Sequence, residues 1–167
     1  MVSFSTLWKN FPEKEVIVLQ CQNKQPTGSK PFGNYCAILL SECFIRSGID
    51  LSPLSGDRCW SHKGKRHLIR AEEMADSLKR NTPSGFAAAV KVEPGSFQSI
   101  LNGKTGVVYF KDYWQRGEEK FEQRSGDHID LWDKDRITSS SMFTRSILEF
   151  LVVLVILINL AKFGSGR

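Results

Sequence analysis

The sequence lacks the features that mark several familiar classes of protein. Its four cysteines form no CxxC pair, and the spacing of Cys59, His62 and His67 matches no familiar zinc pattern, so the sequence predicts no metal site and no cofactor. No block of Lys and Arg is long enough to indicate a nucleic-acid-binding arm, although the net charge is +5. The first residues lack the basic segment and apolar run of a secretory signal, so we expect export by another route.

The composition is that of a globular domain. A chain of 167 residues with 41% hydrophobic and 25% charged residues can build a core, which excludes an intrinsically disordered protein. Helical patterns come first along the chain and short apolar strands follow. This order predicts an α+β fold in which a helix packs on a small antiparallel sheet.

An amphipathic helix beginning at Cys36 is the strongest local prediction. Apolar residues recur at helical spacing from Cys36 to Phe44, Asn34 is a candidate N-cap, and Gly48 fits the position just past the helix end. The positive end of a helix dipole and its free N–H groups favour a thiolate over a thiol, and the thiolate is the nucleophile. Cys36 is therefore the candidate nucleophile.

A histidine on a later strand completes a catalytic pair. In the segment GDHIDLW, alternation places His128 and Asp130 on the same face of the strand. His128 could accept the thiol proton and later protonate a leaving amine, while Asp130 orients its ring. Asp127 and Asp133 are competing orienters between which the sequence does not choose. Together with Cys36, this strand predicts a thiol hydrolase that acts on an amide.

The remaining segments complete the expected fold. Trp114 lies in a polar stretch, residues 111–126, and is a candidate for the rim of a ligand site. Residues 22–35 are rich in Gln, Asn, Pro, Gly and Ser and are predicted to form a loop. Helices are predicted over residues 4–11, 68–78 and 97–101, and strands over residues 106–110, 128–132 and 136–138.

Three segments in this order resemble a known family. They are FGNYC (residues 32–36) with the helix that follows it, GVVYF (106–110) and GDHIDLW (126–132). The resemblance, from about residue 4 to about residue 138, is to the fourth class of type VI secretion amidase effectors, which belong to the NlpC/P60-type papain-like cysteine peptidases. It implies an NlpC/P60 papain-like core over residues 1–140 and an amidase that cuts the D-glutamyl–diaminopimelate bond of peptidoglycan.

The resemblance also implies catalytic roles. Cys36 attacks the amide carbonyl, its backbone N–H and neighbouring donors stabilise the oxyanion, and His128 protonates the leaving amine. The position at which some members carry an acid that orients the histidine is Ser139 here. We therefore expect Asp130 to orient the histidine, with Asp133 as the alternative third residue.

Further expectations concern the surroundings of the enzyme. Asn34, Tyr35 and Trp114 are the predicted substrate-binding residues. The resemblance implies an antibacterial effector that is made in the cytoplasm, reaches the target periplasm without an N-terminal signal peptide, and has a cognate immunity protein. It implies no nucleic-acid partner.

A hydrophobic tail, residues 141–167, replaces the usual ending of the family. Its uncharged stretch from Phe150 to Ala161 would span about 18 Å as a helix, against a hydrocarbon core of about 30 Å. Three interpretations remain open: a membrane-contacting segment, a buried helix or a strand that completes the sheet, or a frameshifted or truncated end.

Two rival functions follow from these departures. A membrane-associated thiol acyltransferase or phospholipase of the same superfamily often has a hydrophobic C-terminal tail, but in those proteins histidine precedes cysteine, whereas here Cys36 precedes His128. A catalytically dead interaction module on the same fold is the other, because the expected acid is missing and the ending is unusual.

Overall fold

The computed structural model describes residues 2–64, 66–138 and 152–157, and these form a mixed α+β fold. The helices are α1 (Phe4–Asn10), α2 (Lys14–Gln20), α3 (Cys36–Arg46), α4 (Ala71–Arg80) and α5 (Phe97–Leu101). The strands are β1 (Asn23–Gln25), β2 (Gly28–Lys30), β3 (Val90–Val92), β4 (Thr105–Trp114), β5 (Gly126–Asp133), β6 (Arg136–Ile137) and β7 (Val152–Leu157).

A five-stranded antiparallel sheet forms the centre of the fold. Its strand order is β3-β7-β4-β5-β6, and β1 and β2 form a separate two-stranded hairpin. The longest pairing joins β4 to β5, with Phe110 opposite His128 and Val108 opposite Asp130. Both candidate catalytic residues of β5 therefore lie on a strand held from one side by the longest strand of the sheet.

Both faces of the sheet are covered by apolar side chains. Helices α3 and α4 pack on one face, while α5 packs on the other. Alternation along β4 and β5 explains this division, because successive side chains point to opposite faces. The core between the sheet and helices α3 and α4 includes Leu40, Phe44, Met74, Leu78, Val107, Tyr109, Ile129 and Leu131. The core between the sheet and α5 includes Val92, Phe97, Leu101, Val108, Phe110, Trp132 and Ile137.

The predicted helix at Cys36 is confirmed, as is its C-terminal end, but the residue at the N-cap position is Tyr35 and not the predicted Asn34. Helix α3 begins at Cys36 and runs to Arg46. Gly48 has a φ of +77°, which L-residues rarely adopt, and the N–H of Ile49 donates to Phe44 O at 2.9 Å. This is the geometry in which a glycine ends a helix, as the sequence indicates.

Three elements differ from the predicted ones. Helix α2 has one buried residue, Ile17, so its apolar periodicity is too weak to reveal it. The hairpin of β1 and β2 lies in the predicted loop of residues 22–35, and its residues are mostly exposed. Strand β3 has three residues, which is too short for an alternation to be recognised.

Part of the hydrophobic tail belongs to the sheet. Residues 152–157 form β7, which pairs with β4 on one side and β3 on the other. Among the interpretations of the tail, this matches the strand that completes the sheet. The remaining residues of the tail lie outside the described part of the chain. Among the described residues, no helix combines the length and the apolar character needed to cross a membrane.

Candidate active site

The candidate nucleophile is held at the start of α3 by the loop that precedes it. Cys36 is 8% exposed, and its backbone N–H donates to Asn34 Oδ1 at 2.9 Å. The Asn34 amide in turn donates to Asp127 O at 3.3 Å, which ties this loop to the beginning of β5. Asn34 therefore caps the first amide of the helix and joins the two segments that carry the candidate catalytic residues.

His128 lies between a carboxylate and the thiol. Its Nε2 is 3.3 Å from Asp130 Oδ2, and its ring stacks on Tyr113 with centroids 5.4 Å apart. The Asp130 carboxylate is 1% exposed and also accepts hydrogen bonds from Leu131 N and the Thr138 hydroxyl. These contacts fix the orientation of the carboxylate, and through it the imidazole.

Electrostatic surroundings favour a charged His128. Burial disfavours the imidazolium, but hydrogen bonds with Asp130 and Cys36, together with their negative charge, outweigh it and raise the pKa of His128 to about 10. The ring is therefore protonated at neutral pH. An imidazolium beside a cysteine stabilises the thiolate form of that cysteine.

The thiol and imidazole border a cavity of about 200 Å³. Cys36, Leu39, His128, Asp130 and Thr138 contribute to its walls. A second cavity, of about 650 Å³, also has Cys36 in its wall. The nucleophile therefore lies between two open spaces, one on the imidazole side and one large enough for a peptide segment.

The larger cavity carries charges of both signs. Arg70 and Arg116 contribute cations, while Glu72, Glu73 and Asp127 contribute carboxylates. Burial raises the pKa of Asp127 despite the hydrogen bond that its carboxylate accepts from the Asp112 amide at 3.0 Å. A cavity of this kind suits a ligand that carries both carboxylate and ammonium groups.

Trp114 lies in the wall of the larger cavity. Its indole Nε1 donates to Asp127 O at 3.1 Å, and the Arg116 guanidinium lies 5.7 Å from its ring centre. A Cβ at Gly126 would collide with the indole, so only glycine leaves room for it. Trp114 is thus fixed against the beginning of β5, a few residues from His128.

Tyr35 has a different position from the one expected. It is 3% exposed, its hydroxyl donates to Cys21 O at 2.7 Å, and it accepts from Phe32 N at 3.1 Å. The ring thus lies in the core behind the cavity wall, where it holds the loop before Cys36.

The geometry separates the competing orienters of the histidine. Asp130 contacts His128, whereas Asp133 pairs with Arg136 at 3.2 Å and the Asp127 carboxylate receives the Asp112 amide. Ser139 lies outside the described residues. The Thr138 hydroxyl helps to hold the Asp130 carboxylate. The sequence does not reveal this contact, because no motif marks a hydroxyl eight residues after a carboxylate.

A second group of reactive side chains lies outside this cavity. Cys21, Cys59, His62 and His67 place one potential ligand atom each within 4.8 Å of all the others. Cys21 and Cys59 are fully buried, and His67 is 2% exposed. These are the side chains that could hold a metal ion in the described part of the chain.

Most of this chain matches the model of one protein family. Residues 32–156 match the model of the family described as type VI secretion system (T6SS), amidase effector protein 4, Tae4. The matched range includes the loop before Cys36, strand β4, and strand β5 with His128. Among curated proteins, no sequence matches this chain.

Solved structures of Tae4 proteins have a similar fold. Tae4 from the Tae4/Tai4 effector–immunity system of Salmonella typhimurium superposes with a TM-score of 0.65 at 19% identity, covering 95% of this chain and 98% of that one. The S. typhimurium Tae4 in complex with the immunity protein Tai4 from Enterobacter cloacae gives 0.64 at 20% identity, covering 95% and 99%. Tae4 from E. cloacae gives 0.58 at 17% identity, covering 93% and 94%.

Proposed function

We propose the bond and the nucleophile on the basis of the family, since this chain belongs to the Tae4 family of type VI secretion amidase effectors. The enzyme cleaves the D-glutamyl–diaminopimelate amide of peptidoglycan, and Cys36 is the nucleophile. The family identifies the chain as an enzyme, a peptidoglycan hydrolase that acts as an antibacterial toxin. The cleaved bond and the catalytic residues are what we propose beyond the family assignment. The observation that carries it is the contact of Cys36 with a His128 that Asp130 orients.

The proposed reaction has two steps. The Cys36 thiolate attacks the amide carbonyl, and the imidazolium of His128 gives its proton to the leaving amine as the C–N bond breaks. The acyl group is then a thioester on Cys36. Neutral His128 next takes a proton from water, the hydroxide attacks the thioester carbonyl, and the released thiolate restores the starting ion pair. Asp130 holds the ring in position throughout.

The donor proposed for the oxyanion is shared with Asn34. In the papain-like arrangement that we propose for this core, the backbone N–H of Cys36 stabilises the oxyanion. That N–H donates to Asn34 Oδ1 in the structure, so the substrate oxygen must compete with the asparagine for it. In the free enzyme, Asn34 Oδ1 accepts the hydrogen bond of the Cys36 N–H. When the reaction begins, this N–H leaves Asn34 and donates to the substrate oxygen.

The charges of the larger cavity support the choice of bond. The peptide around this amide carries the α-carboxylate of D-glutamate and the carboxylates and side-chain amine of diaminopimelate. Arg70 and Arg116 suit the carboxylates, while Glu72, Glu73 and Asp127 suit the amine. Cys36 lies in the wall of the same cavity, so a peptide bound there presents its amide to the thiolate.

An immunity protein is the proposed macromolecular partner. The solved S. typhimurium Tae4 is part of an effector–immunity system with Tai4. We extend this to a cognate immunity protein for the present chain. We propose the periplasm of the target cell as the place of action, because peptidoglycan is found there. The described residues give no support for membrane contact.

Mass spectrometry of purified muropeptides tests the proposal. Incubation with the enzyme is expected to release fragments that end in D-glutamate and fragments that begin with diaminopimelate. Cys36→Ser should slow release at least about 10³-fold, because a serine hydroxyl is not activated by this pair. Cys43→Ser is the matched control, because Cys43 lies two turns along the same helix, is fully buried and donates to Leu7 O at 3.2 Å.

The possible outcomes separate the parts of the proposal. Release of other fragments by the enzyme and not by Cys36→Ser would disprove the choice of bond and keep the catalytic residues. Equal release by the enzyme and Cys36→Ser would disprove the role of Cys36. Intact muropeptides with a folded enzyme would favour the catalytically dead module.

A further inference from the structure

We propose that Cys21, Cys59, His62 and His67 form a structural zinc site, separate from the catalytic cavity. Two sulfur and two nitrogen ligands in tetrahedral arrangement are the donor set that Zn²⁺ prefers in structural sites. The four ligand atoms lie within 4.8 Å of one another. Ligand atoms about 2.0–2.3 Å from a common Zn²⁺ are separated by less than this, so small side-chain adjustments suffice for coordination.

The fold brings the four ligands together from two places in the chain. Cys21 follows the last residue of α2, and the other three ligands come from the loop between α3 and α4. Backbone hydrogen bonds fix this loop, because Cys59 N donates to His67 O at 2.9 Å and Ile69 N donates to Asp57 O at 3.0 Å. The sequence spacing gave no zinc pattern because one ligand comes from a segment 38 residues before the next.

Each histidine has one nitrogen on the cluster and the other on an oxygen. His62 Nε2 is 3.1 Å from Cys59 Sγ, and its Nδ1 is 3.1 Å from Lys63 O. His67 Nδ1 is 3.6 Å from the same sulfur, and its Nε2 is 2.8 Å from Glu42 Oε2. A zinc-binding histidine is held in this way, because the oxygen fixes the tautomer that leaves a lone pair for the metal.

Outer contacts complete the arrangement. Cys59 Sγ accepts the N–H of His67 at 3.1 Å, a bond that stabilises a coordinated thiolate. Glu42 is also paired with Arg46 at 2.8 Å, so its carboxylate is held in position for His67. Binding of Zn²⁺ releases the thiol protons of the two cysteines to solvent, and the metal takes their place between the sulfurs.

The site would fix one wall of the catalytic cavity. Glu42 lies on α3, the helix that begins with Cys36, so the cluster links that helix to the loop carrying the ligands. Ile69 and Arg70 are the last residues of this loop and line the larger cavity. Trp60, within the loop, packs edge-to-face on Phe32 at 5.5 Å, and Phe32 lines the same cavity.

Metal content of the full chain tests the proposal independently of catalysis. The chain is purified as the Cys36→Ser variant under reducing conditions, and zinc is measured by mass spectrometry. We expect about one Zn²⁺ per chain, and Co²⁺ in its place should give a thiolate-to-cobalt charge-transfer band and the intense visible bands of a tetrahedral site. Removing the metal with a chelator should lower the melting temperature.

Matched variants locate the ligands. His62→Gln and Cys21→Ser should each lose the bound metal, and with it the thiolate-to-cobalt charge-transfer band of the Co²⁺-loaded chain. His128→Gln, a histidine outside the cluster, should keep one Zn²⁺ per chain. Glu42→Gln should weaken zinc binding by about 10–100-fold, because a neutral amide is a weaker acceptor than the carboxylate that orients His67. Circular dichroism verifies that each variant is folded.

Several results would overturn the zinc site. One is a folded chain with four free thiols that takes up no Zn²⁺ in competition with a micromolar chelator. Another is a Co²⁺ spectrum of an octahedral oxygen site. A third is a Cys21–Cys59 disulfide in protein purified without reductant, with no zinc present. None of these results bears on the muropeptide assay, which can succeed or fail on its own.

Discussion

Two sets of cysteine, histidine and carboxylate occur in this molecule, and they differ in what surrounds them. Cys36, His128 and Asp130 border cavities of about 200 and 650 Å³. In the other set, Cys59 and His67 are buried and Glu42 contacts the far nitrogen of the ring at 2.8 Å. The chemical groups are nearly the same, and in both sets the carboxylate holds the imidazole.

The difference shows that access and neighbours decide the role of such a set. Cys36 has open space beside it and one histidine, which suits attack on a bound amide. Cys59 is fully buried and has two further potential ligands, Cys21 and His62, within reach. The first arrangement suits a nucleophile, and the second suits a metal ligand.

Exchanging the cysteines for serine one at a time gives the largest expected contrast. Cys36→Ser should reduce muropeptide hydrolysis at least about 10³-fold and change the melting temperature little, because the cavity already faces solvent. Cys59→Ser should keep the rate of the folded fraction within about threefold and lower the melting temperature by about 5 °C or more, through loss of the metal. Similar changes in both variants would remove the distinction between the two sets.

Neutralising the carboxylates tests the third catalytic residue. Asp130→Asn should reduce kcat by about 10²–10⁴-fold, because the imidazole loses the partner that orients and charges it. Asp133→Asn should remain close to the unaltered enzyme, since Asp133 pairs with an exposed Arg136. Steady-state kinetics on muropeptides measures both, and a larger loss in Asp133→Asn would contradict the assignment.

The pH dependence of the reaction reports the charge on His128. The pKa of His128 is raised from 6.5 to about 10, so kcat/KM should fall on the alkaline side near pH 10 as the imidazolium is lost. The stabilisation that the charged ring gives the fold is fully present below about pH 6.5 and is lost as the pH rises through 10. In Asp130→Asn both transitions should move to lower pH. An unchanged alkaline limb would show that Asp130 does not raise this pKa.

A change in the cavity wall should have the smallest effect. Trp114→Phe removes the indole donor to Asp127 O and should raise KM by several-fold with little change in kcat, because Trp114 lines the proposed substrate cavity and is not one of the proposed catalytic residues. Trp8→Phe, which alters an indole on α1 that lines neither cavity, is the control and should leave KM unchanged. A fall in kcat alone in Trp114→Phe would contradict a binding role.

The catalytic half of this comparison could be predicted from the sequence. Helix α3 has a strong periodic pattern and a clear end at Gly48, and β5 alternates over its whole length, so Cys36, His128 and Asp130 could be placed from local rules. The α+β arrangement followed from the order of these elements. The pairing of Asp133 with Arg136, which supports Asp130 as the proposed orienter, could not be read from that alternation.

The other half could not be predicted, because it depends on long-range packing. Cys21 ends a helix whose only buried residue is Ile17, and nothing in the sequence shows that this helix brings it to the loop with Cys59. The same reason applies to Tyr35, whose position beside Cys36 suggested substrate contact while the fold directs its hydroxyl to Cys21 O. The role of β7 was one of several open interpretations, because an apolar run does not identify its own partner.

The place of β7 in the sheet has a consequence for how the toxin matures. Strand β7 comes last among the described strands, yet it lies between β3 and β4 and pairs with both. During synthesis, β3 and β4 therefore cannot pair with β7 until it has left the ribosome, some forty residues after β4. A nascent chain that ends before β7 can already pair β4 with β5, but β3 joins the sheet only through β7.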